Sequence, residues 1–299
     1  MIVPEEQILL YLLCRDVYGG KGVVIDAGSF CGASAYAFAA GIKDSKNRTG
    51  QIHSYDLFTV DDSYTKDYIQ NNFFYFTDLA GDRRFQKSII SPGDSFLDIF
   101  KFQTQRYADV INIHPGSILD YESPADKIEI LFIDVAKTLE IQKHIFQHFF
   151  KYLTPETGVL IQQDFHHAYH PYIHVAMEYL DDYFEITHSR VGASRVYKLL
   201  KPIPYFMIQR IVNYDFSNDE VFNLMNRCID KSPLDERALL SILLARHLML
   251  NNDNRINTVI EGFVSSYSSN SGFDWYISEM KAAVGTPAQV ILEKLGYAP

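Results

Sequence analysis

Gly22-Val-Val-Ile-Asp-Ala-Gly-Ser-Phe-Cys-Gly-Ala-Ser34 is the stretch that decides the fold. Its apolar run Val23-Val-Ile25 is too short for a helix and lies between Gly20 and Gly28, so it reads as a buried strand. Gly32-Ala-Ser-Ala-Tyr-Ala-Phe-Ala-Ala40 follows, a run of small residues suited to a helix lying close on a sheet. Glycines at such a turn let the backbone approach a ligand, and the N–H groups of the helix start attract a polar or anionic group. They also serve close packing of the chain on itself, and the segment alone leaves both readings open.

Working outward, Ile8, Leu9, Leu12 and Leu13 have helical spacing over residues 7–17, and Gly19-Gly20 end that helix. Downstream, strands are expected at 51–56, 109–114, 128–134 and 158–164, with a helix over 139–152. Strands alternating with helices predict an α/β fold with a doubly wound, mostly parallel sheet. Beyond a helix that begins at Pro171, the runs 183–188 and 193–200 are joined only by a short link containing Gly192. Such a link permits an antiparallel pair and forbids a parallel crossover, so the last strand is expected to be antiparallel.

Pro202 and Pro204 mark a boundary, giving an α/β domain over 1–204 and an α-helical C-terminal region over 205–299. Four or five short helices are expected there. Ser217 with Glu220 and Ser232 with Asp235 have capping-box spacing, Thr286-Pro287 starts a further helix, and Gly296 ends it. Leu240, Leu243, Leu244 and Leu248 share one face, as do Ile256, Val259, Ile260 and Phe263, so this region packs as a small bundle for closure or dimerisation. Residues 57–108 are long for one connection and carry Tyr64, Tyr68, Phe73, Phe74, Tyr75 and Phe76, which fits a lid insertion or added core.

The 299 residues carry a net charge of −10 and no long basic run, which argues against nucleic acid as a partner. The apolar run Ile8 to Leu13 follows Glu5 and Glu6 without a basic flank, so neither a signal peptide nor a membrane span is expected. Three widely spaced cysteines offer no disulfide framework. A cytoplasmic protein with no membrane partner is the expectation.

The turn after the first strand has the pattern acid-x-Gly-x-x-x-Gly, set by Asp26, Gly28 and Gly32. A dinucleotide fingerprint needs a second glycine where Phe30 stands. Asp56 closes the second strand, where a carboxylate can hold ribose hydroxyls.

Over about residues 20–200 the chain resembles the class I S-adenosylmethionine-dependent methyltransferases, which have a Rossmann-like sheet. Within them it is most similar to the macrocin and catechol types of small-molecule O-methyltransferase. The turn Asp26 to Ser34, the run Tyr55-Asp-Leu-Phe58 and the antiparallel last strand carry the resemblance. It implies S-adenosylmethionine as cofactor, held by Asp26, Gly28, Gly32, Ser34, Asp56, Ser117 and Asp134. It also implies transfer of a methyl group to an oxygen of a small acceptor such as a sugar or polyhydroxylated metabolite. Catalytic candidates are Lys137, three residues after Asp134, Asp134 itself, and His166 or His167 as a substrate-side acid or base.

Catechol-type enzymes imply a Mg²⁺ ion on Asp134, Gln163 and Asp164, although Gln163 is an amide where a carboxylate is usual. His166, His170 and His174 have helical spacing for a metal, but Pro171 starts a helix more naturally than it sits inside one. A homodimer is a further expectation. Two other readings stay open. One is a nicotinamide-dependent oxidoreductase, against which Phe30 stands; the other is a non-catalytic interaction protein with a degenerate cofactor pocket, for which Gln163 speaks.

Overall fold

A computed structural model of the chain describes residues 2–46, 48–72, 90–125, 127–166, 171–270 and 272–297. Seven strands form one sheet in the order β3-β2-β1-β4-β5-β7-β6. They are β1 (Val23–Ala27), β2 (Ile52–Asp56), β3 (Ile111–Pro115), β4 (Ile128–Ile133), β5 (Val159–Gln162), β6 (Phe184–Val191) and β7 (Ser194–Leu199). β1 runs parallel to β2 and β4, β2 runs parallel to β3, and β6 with β7 form the antiparallel pair. The expected sheet is therefore the one observed, with Gly192 in the left-handed turn between the last two strands.

By internal packing the chain divides into two units. One comprises residues 1–135 with 152–154 and 158–160; the other comprises 136–151, 155–157 and 161–299. This division does not coincide with the boundary expected at Pro204. The reason is local: α5 (Leu139–His148) packs on α7 (Tyr205–Asn213), and α6 (Pro171–Tyr179) packs on α8 (Asn218–Lys231). The C-terminal helices are thus built into the core of the second unit.

In the first unit, α1 (Pro4–Leu12) continues into one π-helical turn and packs against α2 (Ala33–Asp44). Val24, Ile25 and Ala27 of β1 and Ala35, Phe38, Ala39 and Ile42 of α2 are fully buried, so the small residues of α2 do bring it close to its neighbours. The expected insertion contributes α3 (Ser63–Asn72) and α4 (Leu97–Thr104), the latter packed on α2. Tyr64 is exposed, whereas Phe73, Phe74, Tyr75 and Phe76 lie outside the described residues.

In the second unit, α9 (Leu234–Leu250), α10 (Ile256–Tyr267), α11 (Phe273–Val284) and α12 (Thr286–Lys294) follow α8, so the described part of 205–299 holds six helices and not four or five. Gly285, at φ +68°, separates α11 from α12. Ser217 and Glu220 form the expected capping box. Ser232 does not cap α9, which is preceded by Pro233. Its hydroxyl donates to the Cys228 carbonyl at 2.8 Å and accepts from Arg195 Nη2 at 3.0 Å.

That arginine explains the difference. Arg195 on β7 and Glu236 on α9 pair at 2.7 Å with side chains 1% and 0% exposed. The guanidinium also donates to the Ser189 carbonyl and lies 4.0 Å from the centre of the Phe165 ring. Removing one partner of a buried pair leaves an uncompensated charge and typically costs about 3–5 kcal/mol. Urea unfolding of Glu236→Ala is expected to show a loss of that size, whereas a loss under about 1 kcal/mol is what a surface pair would give.

Candidate active site

The turn after β1 is held by backbone bonds before any ligand is considered. The N–H groups of Gly28 and Ser29 both donate to the Tyr55 carbonyl, at 2.9 and 3.2 Å, and Asp134 N–H donates to the Ala27 carbonyl at 2.7 Å. Gly28 has φ +99°, and a Cβ there would stand 2.4 Å from the Asp134 carbonyl oxygen. Gly32, at φ +97°, precedes α2 where a Cβ would meet the Thr104 methyl at 2.8 Å. Both glycines therefore let chain segments close on one another.

Phe30 stands between them at φ +45°, in the left-handed region that glycine favours. Its N–H donates to Asp56 Oδ2 at 2.8 Å, and its ring meets Tyr68 and Phe96 at centroid distances of 5.6 and 5.2 Å. Asp56 Oδ1 accepts from the N–H of Phe58, a second left-handed phenylalanine at φ +51°, also at 2.8 Å. One carboxylate thus fixes both turns. Burial pushes the Asp56 carboxyl above its ordinary range, with the N–H groups of Phe58 and Phe30 opposing the shift.

Asp26 is fully buried behind the same turn. Its Oδ2 accepts from Ser54 Oγ at 3.2 Å, while Oδ1 has no hydrogen-bond partner among the described residues. Burial pushes this carboxyl from 3.8 up to about 6; the neighbouring hydroxyls of Ser34, Ser29 and Ser54 draw it back, and the charge of Asp56 adds to the rise.

A cavity of about 80 Å³ opens on this turn. Of the sequence-derived residues, Gly28, Ser34 and Asp134 line it; Ser29, Phe30, Cys31 and Ala33 complete that side. Asp26 lies behind it and Asp56 supports it through Phe30. Ser117 is not a lining residue: it caps the short 3₁₀ turn Ile118–Asp120 by accepting from Leu119 N–H at 3.3 Å. Ile2, Gln7, Tyr68 and Gln103 also line the cavity. Tyr68 stood in the aromatic insertion, but nothing in the local pattern of Ile2, Gln7 or Gln103 marks them, because they come from the segment before α1, from α1 and from α4, outside the glycine turn.

In the second unit, Lys137 Nζ donates to both carboxylate oxygens of Asp164 at 2.5 Å; Asp164 is buried and the lysine side chain is half exposed. Gln163 and Asp164 lie in the 3₁₀ turn Gln163–His166 after β5. His174, in α6, is fully buried with Nε2 2.6 Å from the Phe165 carbonyl, so it holds backbone. The side chains of His166, His167 and His170 lie outside the described residues.

The expected Mg²⁺ set does not fit this arrangement. A lysine ammonium spans the Asp164 oxygens that the ion would need, Gln163 contributes only a neutral amide, and no cluster of three His, Cys, Asp or Glu occurs among the described residues.

The methyltransferase domain family matches residues 25–181, just over half of the chain, and the chain belongs to it. Its sheet order and the turn after β1 make it a class I S-adenosylmethionine-dependent methyltransferase in fold. Eighteen solved chains match. One, the O-methyltransferase NovP, superposes with a TM-score of 0.46 and 13% identity over 66% of this chain and 80% of its own. No curated protein sequence matches. Among the described residues no helix is long and apolar enough to cross a membrane.

Asp26 supplies a test by pH. A carboxyl whose folded pKa lies above its unfolded value favours the fold while it is protonated. Its contribution is complete below about pH 4 and is lost as pH rises through about 6. The shift corresponds to about 3 kcal/mol. Denaturant unfolding at pH 4, 5, 6 and 7 should show wild type losing stability relative to Asp26→Asn across that window. Parallel pH profiles would contradict the assignment.

Proposed function

We propose that this chain transfers a methyl group from S-adenosylmethionine to a hydroxyl oxygen of a small polyhydroxylated acceptor. The charge of the pocket carries the reading. Asp134 lines it, Asp26 lies behind it with an orphan oxygen, and among the described residues no lysine or arginine lines it. Such a pocket suits an ammonium group beside a sulfonium and disfavours a pyrophosphate, which needs positive partners. At about 80 Å³ it is below the roughly 300 Å³ of a complete small-molecule site, so it takes one end of the cofactor.

S-adenosylmethionine supplies, when bound, a methyl carbon activated by its sulfonium. The residues of this chain have to hold that molecule and prepare the acceptor. Asp26, Ser34 and Asp134 are assigned to the amino-acid end, and Gly28 and Gly32 shape the turn. Each Asp56 oxygen has a second lone pair for the ribose hydroxyls, and Ser117 is assigned to the adenine side. The methyl group would pass to the acceptor oxygen with S-adenosylhomocysteine as the leaving group, so the acceptor's hydroxyl proton has to be taken up by this chain. Lys137, whose Nζ donates to Asp164, would lower the cost of negative charge on the acceptor oxygen as that proton leaves, and His166 or His167 would take the proton.

Calorimetry with S-adenosylhomocysteine is expected to give affinity on the order of micromolar, with no binding of NAD. Mass spectrometry of sugars and polyols incubated with S-adenosylmethionine should then show an added methyl group, and Lys137→Ala should lower kcat at least about tenfold with cofactor affinity unchanged. Binding of NAD in place of S-adenosylhomocysteine sinks the reading. Tight cofactor binding with no transfer to any hydroxyl acceptor favours a binding protein that keeps the pocket.

A further inference from the structure

The family match begins at residue 25, yet the pocket has a wall from outside it. Ile2 and Gln7 line the cavity together with Gln103 of α4. Gln7 is held in place by its helix: Val3 N–H donates to Glu6 Oε2 at 2.8 Å, Leu9 and Leu10 are buried, and α1 packs on α2, whose first turn carries Ser34. Gln7 and Gln103 are both half-buried, one on each of two helices packed against α2.

The amino-acid end of the cofactor is a zwitterion, so its ammonium needs acceptors and its carboxylate needs donors. Asp134 supplies the acceptor, and among the described residues no cationic side chain lines the pocket to serve the carboxylate. A primary amide donates two hydrogen bonds without adding positive charge, so it satisfies a carboxylate and leaves the pocket attractive to the neighbouring ammonium and sulfonium. Resting on the methyltransferase reading above, we infer that Gln7 and Gln103 are specificity residues that donate to the cofactor's carboxylate, with α1 forming part of the binding site.

Two probes separate this from a structural role. S-adenosylhomocysteine carries the amino-acid end, and 5′-methylthioadenosine keeps the adenosine and sulfur without it. Wild type should bind the first more tightly than the second. Gln7→Ala and Gln103→Ala should each weaken S-adenosylhomocysteine about tenfold, the size of a lost hydrogen bond to a charged group, and change 5′-methylthioadenosine less than about twofold. Gln7→Glu, which opposes the ligand's carboxylate with a like charge, should weaken it further. Because the readout is a ratio of two affinities on one sample, a loss of folded protein does not imitate it. Equal weakening of both ligands, or no change in either, overturns the inference while leaving the methyltransferase reading intact. Wild type that binds neither ligand overturns both.

Discussion

The Asp56 carboxylate is the constraint on which the candidate site depends. Its two oxygens grip the N–H groups of Phe30 and Phe58, and each of those phenylalanines occupies a backbone region that costs a residue with a side chain about 1–2 kcal/mol. The turn after β1 and the turn after β2 are thereby fixed by one group, and the ring of Phe30 is directed onto Tyr68 and Phe96. The bend between Gly28 and Gly32 that outlines the cavity follows from this arrangement. Asp56 itself sits in a desolvated position, which raises its pKa, and the two charge-assisted bonds offset that penalty.

Acidity is concentrated around this turn. Asp26, Asp56 and Asp134 belong to the ends of β1, β2 and β4, and Asp26 and Asp56 are each raised in pKa by burial. A protein selected for stability alone would place neutral groups there. A site that must attract a cationic ligand has a reason to keep the carboxyls, since a bound ammonium or sulfonium favours their charged form. The second unit shows the opposite solution, where Lys137 neutralises Asp164 and Arg195 neutralises Glu236 within the protein itself.

Much of the fold was legible because it rests on local pattern. The run Val23 to Ile25, the alternation of apolar runs with helical spacing, and the Gly192 link each specify an element from a few neighbouring residues. What escaped depends on partners distant in sequence. Phe30 looked like a missing glycine, yet it takes the glycine conformation because Asp56, 26 residues away, holds its N–H. Ser232 had the spacing of a helix cap, but the buried guanidinium of Arg195 takes its hydroxyl oxygen. The metal set read from Asp134, Gln163 and Asp164 could not anticipate that Lys137, three residues along the chain from Asp134, bonds both oxygens of Asp164. Gln7 carried no signal, since a polar residue on an N-terminal helix looks the same whether it faces water or a pocket.

The central claim is that the turn held by Asp56 is a preformed seat for the cofactor. The most direct measurement is a crystal structure of the chain with S-adenosylhomocysteine. The account predicts the amino-acid end against the turn from Gly28 to Ser34 and beside Asp134, with Asp56 reaching the ribose hydroxyls while still bonded to the N–H groups of Phe30 and Phe58. A ligand seated away from that turn, or an Asp56 that releases Phe30 in order to bind it, would contradict the account.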